Sequence, residues 1–167
     1  SLVARVKNLH VAVREWGEPG QYEIVRALVV RRFANSANPI VVEQVLKSTL
    51  LKEADAETLE IMHPLAGILG NSANEAPPDP HLAAWRQFSL ALLAFRQGRL
   101  DATADWARKS LATADTSPFR AESNHILIAM VDLKRGHIQE ARHSISAVRG
   151  AVEKWSAEPF RLREEEG

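Results

Sequence analysis

The chain has no cysteine, which excludes disulfides and thiolate metal sites and fits a reducing compartment. It has no charge imbalance: 21 Lys and Arg stand against 21 Asp and Glu, so no overall field draws in nucleic acid or an anionic membrane. Long apolar runs are missing too. Stretches such as Leu28-Val29-Val30 fall far short of the roughly 20 residues that a membrane-spanning helix needs, and the first residues carry no signal-peptide pattern. The expectation is a cytoplasmic protein that contacts neither nucleic acid nor membrane. Local catalytic signatures are also lacking. No Gly-x-Ser-x-Gly, His-Glu-x-x-His or phosphate-loop spacing occurs, and the eight glycines never form Gly-x-Gly-x-x-Gly. Triads assemble from distant residues, so this absence lowers the enzyme reading without removing it. A non-catalytic chain with no cofactor and no metal is expected.

What is present is helical periodicity. At 167 residues the chain can bury one core or line up about four repeat units. It opens at Ser1 already inside a helical pattern, as expected of a fragment of something longer. Leu2, Val6, Leu9 and Val13 share one face of a helix that ends near Trp16-Gly17. Glu18-Pro19-Gly20 makes a turn, and a second helix runs over about 21–33 with Ile24, Leu28 and Val29 facing inward. Asn38 is placed as an N-cap with Pro39 at the first helical position. A third helix comes next over about 40–51 and a fourth over about 56–69, ending at Gly70-Asn71. His63-Pro64 should kink or split that fourth helix. The segment 71–80, with three prolines, is the longest loop expected. Four more helices are expected over about 81–97, 100–114, 120–135 and 138–155.

The last four helices carry a repeat. Leu90 to Leu100 runs parallel to Ile128 to Ile138, 38 positions on, with an Ala seven places before the Gly in each copy: Ala91 before Gly98 and Ala129 before Gly136. A fixed period of that length points to stacked helical hairpins. The pairs fall at about 2–34, 39–70, 81–114 and 119–155, with 1–160 as one domain and 161–167 as a frayed tail. The neighbourhoods of Gly98 and Gly136 resemble the tetratricopeptide repeat. That resemblance implies an all-α, right-handed α-solenoid of about four hairpins, in which small residues let paired helices approach. Ala91 and Ala129 match the small site of the first helix and Ala141 that of the second, while Thr103 and Ser110 stand where Ala is usual.

A narrower resemblance rests on Tyr22-Glu23-Ile24-Val25-Arg26 through Arg32-Phe33, Asn38-Pro39, Val42-Glu43-Gln44-Val45, Leu46 to Leu51, and Phe95-Arg96-Gln97-Gly98-Arg99. These segments look like the C-terminal helical-repeat regions of large bacterial serine/threonine protein kinases. That implies the non-catalytic part of a modular signalling protein. No kinase signature itself lies in the chain.

Candidate chemistry is sparse. His137, Glu140 and His143 are spaced three apart and could share a face toward a metal, but His137 falls at a turn, and surface residues are the simpler expectation. Arg26, Arg31 and Arg32 could form a basic patch for a phosphate or an acidic peptide, with a solvated helix face as the simpler alternative. The candidate binding surface is the groove that the resemblance implies. By matching positions, Trp85, Phe88, Leu92, Phe95 and Arg96 line it from one hairpin and Ile126, Met130, Leu133 and Lys134 from the next. Aromatic anchors beside exposed Arg and Lys suit a peptide with acidic groups. The competing use of the same large residues is to join one hairpin to its neighbour. The reading reached is a protein-interaction or scaffolding module with a protein or peptide partner. A sensor binding a small ligand or peptide within the superhelix is the alternative, and a helical enzyme with a dispersed site is a third.

Overall fold

A computed structural model describes residues 18, 20–74, 79–114 and 117–157 of the chain. Among them the fold is all-α with no strand. Seven helices stand in order: α1 (Gln21–Phe33), α2 (Pro39–Thr49), α3 (Ala56–Asn74), α4 (Pro80–Arg96), α5 (Leu100–Ala112), α6 (Pro118–Lys134) and α7 (Ile138–Ala157). The helix expected near 2–16 and the tail 161–167 lie outside the described residues. No described helix is long and apolar enough to cross a membrane.

Local chemistry sets the starts. Asn38 accepts from the backbone N–H groups of Ile40 and Val41 at 3.0 and 3.4 Å, with Pro39 first in α2. Asp79 accepts from His81 N–H at 2.9 Å, with Pro80 first in α4. Asp55 accepts from Thr58 N–H at 2.7 Å ahead of α3. Each side chain satisfies amide groups that the first helical turn leaves without partners.

The turns at Gly98 and Gly136 are equivalent bond for bond. Both glycines sit at positive φ, 73° and 78°. Arg99 N–H donates to Ala94 O at 2.9 Å and Leu100 N–H to Gly98 O at 3.0 Å; 38 positions on, His137 N–H donates to Asp132 O at 2.9 Å and Ile138 N–H to Gly136 O at 3.0 Å. The long bond from the residue after the glycine back to the last helical turn is a Schellman closure, and it needs the left-handed conformation that glycine adopts without penalty.

Packing is local along the chain. No described helix touches another more than two places away; α1 touches α3, α2 touches α4 and α4 touches α6, whereas α3 and α5 do not touch, nor do α5 and α7. The core keeps the same order. One cluster gathers Val30, Leu46, Met62, Leu65, Leu69, Leu90 and Leu93 from α1 to α4, and another gathers Ala91, Phe95, Ala104, Ala107, Leu127 and Val131 from α4 to α6. The central helix α4 supplies both, and Leu92 and Trp106 pack against each.

Several expectations are corrected. Ile24 and Leu28 are 63 % and 64 % exposed rather than inward, and only Val29 of that trio is buried. The inner face of α1 is Tyr22, Arg26, Val29 and Val30. It is fixed by polar anchors: Tyr22 Oη donates to Ser48 O at 3.0 Å and Arg26 Nη1 to Glu53 O at 2.6 Å. Pro64 neither splits nor ends α3, and the helix passes Gly70 to reach Asn74. Glu60, His63 and Pro64 are exposed, so the carbonyl that proline leaves without a helical donor lies on the solvent side. Met62, Leu65 and Leu69 are fully buried on the other side and keep both halves of the helix packed in the core. The expected loop 71–80 is correspondingly short, since 71–74 are helical, Asp79 and Pro80 open the next helix, and 75–78 lie outside the described residues.

Candidate functional site

The wall formed by α2, α4 and α6 carries the residues assigned to a groove. Trp85 is half-buried on α4, its ring 4.0 Å from Lys47 Nζ of α2 and edge-on to Phe88 at 5.8 Å. Lys47 is itself ion-paired with the buried Glu43 one turn earlier. At the next junction Lys134 Nζ of α6 stands 5.6 Å from the Phe95 ring of α4. An aromatic on α4 therefore meets a cation from each flanking helix, a contact worth about 0.5–2 kcal/mol depending on desolvation.

The nine assigned residues divide. Phe95 is buried, and Phe88 and Leu92 are half-buried against the α4–α6 cluster. These three join helices. Arg96 is not the exposed cation expected: it is half-buried, donating from Nε to Leu50 O and from Nη2 to Leu51 O, both at 3.0 Å. It ties α4 to the carbonyl end of α2, where an Arg answers both unpaired carbonyls and the negative end of the helix dipole. Trp85 and Ile126 are half-buried, while Met130, Leu133 and Lys134 are exposed.

The same use of arginine recurs. Arg120 is 1 % exposed and donates from Nη1 to the carbonyl and, at 2.9 Å, the hydroxyl of Ser110, near the end of α5. Asn124 Nδ2 reaches the same hydroxyl at 3.0 Å, and that hydroxyl donates to Ala84 O at 2.7 Å. Ser110, which stands where a small apolar residue was expected, thus links α4, α5 and α6. Thr103, the other departure, donates back to Arg99 O at 2.9 Å within its own helix region. Arg26, Arg31 and Arg32 do not gather into a basic patch: Arg26 is buried with Asp55 at 3.9 Å, Arg31 pairs with Glu57 at 3.5 Å, and Arg32 lies over Phe33.

Two carboxyls at the α1–α3 corner are shifted. The Asp55 carboxyl is held below its usual range by the Thr58 amide it caps, with Arg26 adding to the effect. Glu23 is lowered chiefly by a backbone hydrogen bond, and also by Lys52. Neither lies on the α2–α4–α6 wall. His137, Glu140 and His143 do not converge on a metal: His137 Nδ1 faces Asp132 at 4.0 Å, and among the described residues no group of three His or acidic side chains could hold an ion.

Sequence reasoning missed a cleft on the opposite side, where α3 and α5 stay apart. It encloses about 380 Å³ over Leu90 and Leu93 of α4, rimmed by His63, Gln97, Arg99 and Trp106. Its sequence signal is Gly67 and Gly70, three residues apart on α3, which leave that face without side chains.

No family model matches this chain, and neither a curated protein nor a solved structure matches it.

Proposed function

We propose that this chain is a non-catalytic protein-interaction or scaffolding module, a right-handed solenoid of tetratricopeptide-like hairpins. The carrying observation is the order of contacts. Helices α2, α4 and α6 touch in succession, whereas of the second helices α1 and α3 touch but α3, α5 and α7 do not, which supports a curved stack with the first helix of each hairpin inside from α2 onward. Such a stack works by rigid presentation of a surface to a protein or peptide partner. Trp85, Ile126, Met130, Leu133 and Lys134 are the accessible part of that surface. The resemblance to the repeat regions of large bacterial serine/threonine kinases supports a cytoplasmic signalling context.

The test is capture of partners from a lysate of the source cells by the intact chain and by the double variant Trp85→Ala, Lys134→Glu. The native chain should retain a partner that the variant loses, with helicity by circular dichroism unchanged. Equal capture by the folded variant would remove this wall from the function. A second reading, a sensor for a small ligand, draws on the 380 Å³ cleft, which is within the size range of ligand sites. A thermal shift with small carboxylates that Arg99→Ala abolishes would favour it.

A further inference from the structure

Translating hairpin α4–α5 onto hairpin α6–α7, taken as first and second, exposes an unfilled face. Phe88, Leu92 and Phe95 of α4 map by 38 positions to Ile126, Met130 and Leu133 of α6. Leu100 and Ala107 of α5 map in the same way to Ile138 and Ile145 of α7. In the first hairpin these residues belong to the cluster that Leu127 and Val131 of the next helix complete. In the second, Met130 and Ile145 are each 37 % exposed, Ile138 45 % and Leu133 52 %. The face is thus the continuation of an interface already made inside the molecule, with no described helix over it.

The face differs from the internal template in charge. Where α5 has Ala104, buried in the cluster, and the half-buried Leu111, α7 has the exposed Arg142 and Arg149, which alternate with Ile138 and Ile145 along one stripe of the helix, and Lys134 is exposed at the end of α6. Against them on α7 stands Glu153, one turn on from Arg149. A helix seated here as α6 is seated on α4–α5 would lay apolar side chains on Met130, Leu133, Ile138 and Ile145 and meet Arg142 and Arg149 between them along α7.

We propose that the face of α6–α7 equivalent to the α4–α5 face that seats α6 docks an amphipathic helix of a partner protein, aliphatic where it meets Met130, Leu133, Ile138 and Ile145 and carboxylate-bearing where it meets Arg142 and Arg149. A second copy of this chain is the poorer occupant, because a symmetric contact through the same face brings two sets of these arginines together. The proposal rests on the stacked-hairpin reading only through the equivalence of the two turns, so its failure leaves that reading in place.

The test uses the intact chain and two fluorescent synthetic helices with the same leucine stripe, one flanked by Glu and one by Lys. By anisotropy the Glu peptide should bind at least about tenfold more tightly than the Lys peptide, a difference of about 1.4 kcal/mol. Leu133→Asp and, separately, Ile145→Asp should each abolish binding while leaving circular dichroism unchanged, since both side chains are exposed. The pair Arg142→Glu, Arg149→Glu should reverse the preference. Failure of the Glu peptide to bind, equal binding of both peptides, or binding indifferent to both Asp variants would overturn the proposal. So would a dimer in sedimentation that Leu133→Asp dissociates, which would give the face to a second copy.

Discussion

Hairpin α4–α5 has described neighbours on both sides, α2 and α3 before it and α6 after it, whereas hairpin α6–α7 has them on one side only. The turns at Gly98 and Gly136 share φ and hydrogen bonds. Ala91 and Ala129 are both fully buried at equivalent positions. Yet Phe95 is 6 % exposed and its equivalent Leu133 is 52 % exposed. Hairpin geometry is therefore set by the hairpin itself and burial by the next helix packed against it, in line with the stacked-hairpin reading proposed above.

The largest expected effect breaks or upholds that comparison directly. Phe95→Ala should cost about 3–5 kcal/mol, as truncation of a large buried aromatic does. Leu133→Ala, the same position one repeat on, should stay within about 0.5 kcal/mol. Urea unfolding of the two variants gives both numbers. A similar loss at Leu133 would mean that this face is covered in the isolated chain.

A smaller effect separates the hairpins by chemistry rather than by cover. Ser110 accepts from Arg120 and Asn124 and donates to Ala84 O, while its equivalent in the second hairpin is the buried Val148. Ser110→Ala strips two buried donors of an acceptor and should cost about 1–3 kcal/mol. In a double-mutant cycle with Asn124→Ala the losses should fall short of additive, because the two residues share one bond. Full additivity would show that they act independently.

How far this was legible in the sequence depends on whether a feature is local. The closing glycines, the Asn38-Pro39 start and the repeat of small residues are decided within a few positions, and they read directly. Ile24 and Leu28 misled because apolar spacing marks a stripe but not the neighbour that covers it; on α1 that neighbour is claimed by Tyr22 and Arg26. Pro64 misled because its cost depends on which side of α3 faces water. Arg26 and Arg96 read as surface cations, and Arg120 drew no reading, since nothing nearby in sequence announces the carbonyls that they reach, 27, 46 and 10 positions away. The groove suffered from the same ambiguity: Phe95 and Leu92 were spent on joining helices, and Met130, Leu133 and Lys134 were left outside.

The smallest effect sharpens the comparison at the element that the two hairpins share. Gly98 and Gly136 both occupy the left-handed region, and a Cβ added at either meets nothing within 4 Å. The cost of alanine there is purely that of the backbone conformation, about 1–2 kcal/mol, and neighbours cannot make the two sites differ. Gly98→Ala and Gly136→Ala should therefore lower stability equally, to within about 0.5 kcal/mol, although one hairpin has described neighbours on both sides and the other on one side only. Gly67 supplies the opposite sign. It has the same open surroundings but lies within α3 with no positive φ, so Gly67→Ala should stabilise by about 0.5–1 kcal/mol through helix propensity alone. Thermal and urea unfolding of the three variants settle the matter: unequal losses at Gly98 and Gly136 would mean that the turns answer to their neighbours, and the separation of local geometry from neighbour burial would fall with them.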